Sequence, residues 1–349
     1  MKDYSYLTQI LHNQFLNDGQ VMNFSIKRLF SKSKNTSLKD CKHIFITGLA
    51  RSGTTALLQA LDSTNNYASL RYKYMPFILL PKLAKIYTNY FNKNADLEKE
   101  RLHGDNLKIS SESPECLDEP FWIHTKYKQD NMLNKNFMSP HIVDFNLAKA
   151  YITLLNSYTK IEKKEICLIK NNNNHLRILS LSELLPNANF LVLFRSPIAH
   201  AKSLLKLHTR LKKKQTDDGY ILDYMNQIGH WEFGLGKKPF IYENNQNYIL
   251  KGLEDINLEY WINQWVFTYN WMLNQLKYRN NIRMVCYEDL CEDKNVQKDI
   301  FNFLKINQEE IKFKFRTGSS NYDKNNDINV DSKFLKNAID IYNELRNKN

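Results

Sequence analysis

His43-Ile44-Phe45-Ile46-Thr47-Gly48-Leu49-Ala50-Arg51-Ser52-Gly53-Thr54-Thr55 is the stretch on which the reading of the whole chain turns. It starts as a short apolar strand, turns through two glycines, and opens a helix at Gly53 that runs on through Ala56, Leu57, Leu58, Ala60 and Leu61. Turn amides and a helix N-terminus present N–H donors and a partial positive charge, so an anionic phosphate is the natural occupant of such a turn. Gly48 and Gly53 have the spacing of a Walker A loop, but Thr54 stands where that pattern requires lysine, and Thr55 follows. The Walker lysine works on the β- and γ-phosphates of a triphosphate. Without it the loop suits a single phosphate group, with Arg51 just ahead of the helix, in reach of whatever that phosphate carries.

A second stretch has the same form. Phe190-Leu191-Val192-Leu193-Phe194 reads as a buried strand ending at Arg195, with Ser196 as N-cap and Pro197 as first helical residue. Ser203 lies two helical turns beyond the cap and on the same face. Arg195 and Ser203 are therefore placed to grip one phosphate from two sides, by a forked contact and by a hydroxyl donor. Taken alone, this reads first as a capped helix with a surface arginine and serine, and only beside the first loop does the phosphate reading prevail. Two phosphate sites without a triphosphate motif point to a nucleotide phosphorylated at both its 5′ and 3′ positions.

In these motifs the chain resembles the sulfotransferases that use 3′-phosphoadenosine 5′-phosphosulfate. Their 5′ site has the form R/K-S-G-T-T, matched by Arg51-Ser52-Gly53-Thr54-Thr55, and their 3′ site is Arg followed eight residues later by Ser, matched by Arg195 and Ser203. Val285-Cys286-Tyr287-Glu288-Asp289-Leu290 is similar to the family's Y-E-D-L strand end, and Phe315-Arg316-Thr317-Gly318 to its late R-K-G loop, with Thr317 in place of lysine. The likeness spans residues 43 to 318, and lacking a membrane anchor the chain resembles the soluble bacterial branch. It implies a sulfonucleotide co-substrate held by Gly48, Arg51, Ser52, Gly53, Thr54, Thr55, Arg195, Ser203 and Arg316, a hydroxyl or amine acceptor with a saccharide the leading choice, and no metal.

Two further segments supply the candidate catalytic groups. Ile166-Cys167-Leu168-Ile169-Lys170 reads as a strand ending in lysine, followed by an Asn171-Asn172-Asn173-Asn174-His175 run that is either functional or an accident of an Asn-rich chain. If the strands ending at Thr47, Lys170 and Phe194 are neighbours in one parallel sheet, Lys170 emerges at the same carboxyl edge as Arg51 and Arg195. In tyrosylprotein sulfotransferases, which this chain resembles, such a lysine approaches the sulfuryl group. Those enzymes carry a catalytic Glu about twenty residues past the loop, where this chain has Arg71-Tyr72-Lys73-Tyr74. A base is therefore sought in Glu112-Ser113-Pro114-Glu115-Cys116-Leu117-Asp118-Glu119-Pro120-Phe121-Trp122, which is similar to an S-P-E-x-x-x-E-x-F-W segment of bacterial sulfotransferases. Ser113 and Pro114 read as a helix start that sets Glu115 and Glu119 on one face, with Glu119 the first choice of base and Glu115 the second. His230, in Gly229-His230-Trp231-Glu232-Phe233-Gly234, is a further candidate to face the acceptor.

The expected architecture is an α/β, three-layer P-loop-like domain with a mainly parallel central sheet, strands near 43–47, 166–170, 190–194 and 282–287, and a largely helical insert between about 75 and 160. Residues 1–349 are expected to form one domain: a helical extension over 1–40, a core over 43–318, and a polar loop and terminal helix over 319–349. A formal net charge of +12 favours anionic partners, among which charge alone cannot choose. Cysteines at 41, 116, 167, 286 and 291 have no framework spacing, which with the absence of a signal-like or bilayer-spanning apolar run leads to an expectation of a cytoplasmic protein. Two other classes remain open at this stage, a P-loop kinase or NTPase, disfavoured by Thr54, and a basic nucleic-acid-binding protein, for which no motif is present.

Overall fold

Short apolar segments that alternate with longer amphipathic ones can bury both faces of a parallel sheet only beneath two layers of helix. The computed structural model describes residues 6–17, 19–91, 99–100, 108–276, 279–306, 315 and 332–347. Its strands are β1 (Ile44–Thr47), β2 (Tyr67–Ser69), β3 (Lys99–Glu100), β4 (Lys108–Ile109), β5 (Ile166–Lys170), β6 (Asn189–Phe194) and β7 (Ile282–Cys286). The helices are α1 (Tyr6–Leu16), α2 (Gln20–Lys32), α3 (Thr54–Asp62), α4 (Pro81–Phe91), α5 (Glu119–Trp122), α6 (Phe145–Glu162), α7 (Ile178–Leu184), α8 (Pro197–Asp217), α9 (Gly219–Gln227), α10 (Gln246–Lys251), α11 (Leu258–Gln275), α12 (Tyr287–Glu292), α13 (Lys294–Leu304) and α14 (Ser332–Asn347).

Five strands form the central sheet in the order β2-β5-β1-β6-β7, with every pair parallel. The expected neighbours β5, β1 and β6 lie side by side. The edge strand β2 was not foreseen, since three residues are too few for a period of two to register. The pleat divides the core. Ile44, Ile46, Leu168, Leu191 and Leu193 face Leu57, Leu58 and Leu61 of α3 and Phe301 and Leu304 of α13. Phe45, Cys167, Ile169, Phe190 and Val192 face the other way, toward Tyr151 and Leu155 of α6 and Trp265 and Tyr269 of α11. Each of these side chains contributes about 1.5–3 kcal/mol by leaving water, and together they sandwich the sheet.

The insert between β2 and β5 is mostly helical, with one short antiparallel pair, β3 and β4. The helix expected to start at Ser113-Pro114 starts instead at Glu119, with Asp118 at the cap position. Residues 111–115 are drawn out alongside residues 70–73: Glu115 N donates to Leu70 O at 3.0 Å, Lys73 N to Ser111 O at 2.8 Å and Tyr72 N to Ser113 O at 3.3 Å. Glu115 N, an amide that a first helical turn would have left unpaired, is thus taken by Leu70, while Ser111 and Ser113 are held through their carbonyls. Glu115 and Glu119 therefore share no helix face. At the other end of the chain α2 packs on α6, and α14 packs on α11 and β7. The segment holding Arg316, Thr317 and Gly318 lies outside the described residues.

Burial makes the fold sensitive to acid. His43 and His175, both buried, and half-buried His141 have pKa values lowered to about 4, and buried His200 to about 3, chiefly by desolvation. The neutral ring is what the fold accommodates, so this stability is fully present above the ordinary value of 6.5 and lost as pH falls toward 4. Uptake of only two protons on unfolding lowers stability by about 3 kcal/mol per pH unit in that window. Urea melts at pH 7 and pH 5 should show a large drop in midpoint, and equal midpoints would contradict the neutral assignment.

Candidate active site

The turn after β1 is shaped by backbone that most residues avoid. Gly48 has φ of 134°, and a Cβ there would stand 2.3 Å from the Leu193 carbonyl oxygen of β6. Gly53, at φ of 98°, would place a Cβ 2.1 Å from the Tyr287 ring. Arg51 itself is left-handed at φ of 72°. Between them the loop is clamped from behind: Tyr269 OH donates to Leu193 O at 2.8 Å and accepts from Leu49 N at 3.3 Å. The Ala50 carbonyl can only accept, so the contact of His200 Nε2 with it at 2.7 Å fixes the neutral tautomer with the proton on Nε2. Ser52 and Thr54 are buried in the turn.

The two phosphate-type motifs meet at this mouth. Arg51 Nε donates to Ser203 Oγ at 3.1 Å across 152 residues of sequence. Arg195 leaves the end of β6 beside the Tyr287 ring, where its nearest counter-charge is Glu288 Oε1 at the long distance of 3.6 Å. Glu288 Oε1 also accepts from Ser196 N at 3.0 Å, and Ser196 makes no side-chain cap bond of the kind the sequence suggested. Gly48, Gly53, Arg51, Ser203 and Arg195 thus sit at one carboxyl edge of the sheet, where open α/β sheets present their ligand crevice.

Lys170 reaches that edge from the neighbouring strand, since β1 and β5 pair Ile46 with Lys170. Its ammonium is buried and donates to Glu115 Oε1 at 2.8 Å. Glu119 faces another way. Its carboxylate is fully buried and accepts from Tyr127 OH at 2.6 Å, Asn171 Nδ2 at 2.6 Å and Arg177 Nη2 at 2.5 Å. Burial pushes this carboxyl up, but the Arg177 guanidinium and these hydrogen bonds overcome it and hold the group below the usual carboxylate range. Neighbouring Asp118, taking bonds from Tyr151 OH at 2.6 Å and Asn171 Nδ2 at 3.0 Å, is pushed the opposite way by burial and by the Glu119 charge.

Three residues at this edge were not singled out by sequence. Asn172 joins the loop helix to the far wall, accepting from Thr54 Oγ1 at 3.3 Å through its side-chain oxygen and donating to Glu232 Oε1 at 3.4 Å through its amide. Its backbone carbonyl accepts from Thr47 Oγ1 at 3.1 Å. Glu232 is buried beside His230, with Nδ1 to Oε2 at 3.6 Å. Burial raises its pKa, and His230 together with Lys170 brings it below the ordinary value. Arg177, fully buried and stacked 4.2 Å from the Trp122 ring, is the third. The Gly229-to-Gly234 segment carried the signal for Glu232, whereas a lone arginine in a helix start carries none.

A model of the sulfotransferase family matches residues 43–237, more than half of the chain. The protein belongs to the sulfotransferase family. Among solved structures it is similar to the sulfotransferase STF1 of Mycobacterium tuberculosis H37Rv, at 15% identity over 88% of this chain and 80% of that chain with a TM-score of 0.45. It is also similar to the sulfotransferase STF9 of Mycobacterium avium, at 11% identity over 88% of this chain and 86% of that one, with a TM-score of 0.40. Among curated proteins no match is found. The matched range holds the turn at 48–53, Lys170, Arg195, Ser203 and the Glu232 segment of this sulfotransferase. Among the described residues no group of three or more His, Cys, Asp or Glu could hold a metal ion, and no helix is long and apolar enough to cross a membrane.

The buried charge system makes a stability prediction. Arg177→Met should strand the Glu119 carboxylate and cost about 3–5 kcal/mol in urea unfolding, and the pair Arg177→Met with Glu119→Leu should recover much of that loss. No recovery in the double variant would show that the two side chains are not coupled.

Proposed function

We propose that this sulfotransferase moves a sulfuryl group from 3′-phosphoadenosine 5′-phosphosulfate to a hydroxyl acceptor, and that it works as one catalytic domain. The observation that carries this reading is the contact of Arg51 with Ser203, which supports a single nucleotide spanning two anion sites. The turn amides from Gly48 to Gly53, with Ser52, Thr54 and Thr55, would hold the 5′-phosphate. Arg195 and Ser203 would hold the 3′-phosphate, with Arg316 as a further contact. Arg195 is well suited, because its Nε is buried without a hydrogen-bond partner among the described residues and its ion pair with Glu288 is long.

In the reaction the acceptor oxygen forms a bond to sulfur while the bond from sulfur to the bridging phosphate oxygen breaks. The leaving group is adenosine 3′,5′-bisphosphate. Lys170 and Arg51 would meet the charge that grows on the sulfuryl and bridging oxygens, which is electrostatic stabilisation at positions fixed before the reaction. The acceptor proton needs a carboxylate beside the groups that meet the sulfuryl charge. Glu119 is held on both oxygens by Tyr127, Asn171 and Arg177, so its place is in the scaffold. Glu115 is the better base, because a sulfuryl oxygen drawing Lys170 away would leave its carboxylate more basic. A saccharide hydroxyl is the leading acceptor from the bacterial likeness alone.

Selective binding stabilises the folded state, by about 2.7 kcal/mol at a hundredfold excess over Kd. Adenosine 3′,5′-bisphosphate should raise the melting temperature and ATP with magnesium should not; the reverse would overturn the sulfonucleotide as donor. Arg195→Ala and Ser203→Ala should erase the preference for the bisphosphate over adenosine 5′-phosphate. Glu115→Gln should lower turnover at least about a hundredfold in protein that is still folded at the assay temperature, whereas Glu119→Gln should act on the melting temperature first. If Glu115→Gln leaves turnover intact, the base lies elsewhere, with Glu232 and His230 next in line.

A further inference from the structure

A groove of about 1630 Å³ opens on the side of the protein away from the candidate active site. It is lined by His43, Ile166 and Asn187, which stand at or before the starts of β1, β5 and β6, so it lies at the amino edge of the sheet. Small-molecule sites run to about 300–1,000 Å³, and this groove is too large and too open for a single metabolite. Its walls come from α2, α4 and α6.

Those three helices turn like charges toward one another. Arg28 and Lys32 of α2, Lys82 and Lys85 of α4 and Lys160 of α6 all line the groove, against Asp40 and Glu165 as the acidic side chains among the described residues. None of Arg28, Lys32, Lys82 and Lys160 has an ion pair among the described residues. Desolvation and the charges of Arg28, Lys82 and Lys160 together hold the Lys32 ammonium below its usual value, as like charges crowded without a counter-charge must. Beside them two large apolar side chains that line the same groove stay in water, Phe24 at 58% exposed and Ile86 at 53%. A small anion or an acidic polymer would satisfy the cations and leave Phe24 and Ile86 without purpose. A purely apolar partner would leave the cations crowded.

We infer that this groove is a docking site for an anionic phospholipid bilayer, with lipid phosphates on Arg28, Lys32, Lys82 and Lys160 and acyl chains against Phe24 and Ile86. Cations beside an apolar rim are the pattern by which peripheral proteins lie on acidic membranes. Docked in this way, the opposite edge of the sheet, with Arg51, Lys170 and Arg195, faces away from the bilayer and stays open to solvent. The site is independent of the donor nucleotide.

The full-length protein is sedimented with vesicles of phosphatidylcholine alone or mixed with phosphatidylglycerol. Binding to the mixed vesicles and not to the neutral ones is expected. Each cation near an acidic surface strengthens binding about fivefold, so the double variant Lys32→Glu with Lys82→Glu should bind at least about tenfold more weakly. The double variant Phe24→Ser with Ile86→Ser should also bind more weakly with no change of charge. A control with equal loss of charge, Lys206→Glu with Lys213→Glu on α8, should bind like the parent. All variants are at exposed positions, and unchanged melting curves establish that they fold. The proposal is overturned if the parent ignores the mixed vesicles, if the α8 control loses as much as the groove variant, or if Phe24→Ser with Ile86→Ser binds as the parent does. It is equally overturned if a sulfated polysaccharide binds through these cations while vesicles do not.

Discussion

The left-handed backbone between β1 and α3 is the constraint from which the rest of the site takes its position. Gly48 and Gly53 have no room for a Cβ because the β6 carbonyl of Leu193 and the ring of Tyr287 already occupy the space. That close approach holds the turn against β6 and against the residues that follow β7. Tyr269 from α11 and His200 from α8 then bond to its backbone. The turn is therefore gripped by elements more than a hundred residues downstream, and α8 is placed so that Ser203 meets Arg51. A phosphate-type loop on an isolated strand and helix would have donors but no fixed mouth. Here the mouth is fixed by tertiary contacts before any ligand arrives, which is the condition under which oriented amides bind without a large ordering cost.

Beneath that edge lies a second organising layer, polar and dry. Asn171 donates to both Asp118 and Glu119, Asn173 donates to the Gly229 carbonyl, and Asn174 accepts from Arg177. Isolated buried charges are expensive, and a buried carboxylate is tolerated where a cation and several donors meet it together. Arg177, Tyr127 and Asn171 do this for Glu119. The consequence reaches the candidate chemistry, because anchoring Asp118 and Glu119 at the end of β5 also sets the extended segment before them. Glu115 is thereby delivered to Lys170 while remaining outside the closed network. Two carboxylates four residues apart thus acquire opposite characters, one locked against Arg177 in the scaffold and the other set against Lys170 at the sheet edge.

The strands, the turn and the phosphate-type motifs were legible because each is local. A run of apolar residues, a pair of glycines and an Arg followed eight residues later by a Ser are patterns within one window of sequence. What escaped is what depends on distant partners. The segment at 113–118 has the letters of a helix start, but Glu115 N and Ser113 O are taken by Leu70 and Tyr72, more than forty positions earlier, and the helix waits until Glu119. The asparagine run could be read as composition or as function, and only the fold shows that its members are buried and bonded. Glu232 was passed over in favour of its neighbour His230, since nothing in sequence links it to Asn172 or Lys170. Arg177 is a single letter whose importance comes wholly from being enclosed.

The surplus of positive charge has a separate meaning from the one that composition suggests. A net charge of +12 invites the thought that an anionic nucleotide is being attracted. Yet Arg28, Lys32, Lys82, Lys85 and Lys160 gather at the amino edge of the sheet, while the phosphate-type loop opens at the carboxyl edge. The strands between are four to six residues long, which at about 3.3 Å per residue separates the two edges by about 13–20 Å. Charges in water are screened over about 8–10 Å at ordinary salt. The cations of the groove therefore add little to the field at Arg51 and Arg195, and nucleotide recognition must rest on the few groups at the mouth itself. A parallel sheet makes such a division available, since its two edges are chemically distinct: one collects helix N-termini and turn amides, and the other is left to the loops and helices that bring the chain back. In this molecule the first edge carries the candidate chemistry, and the second carries charge that the chemistry does not use.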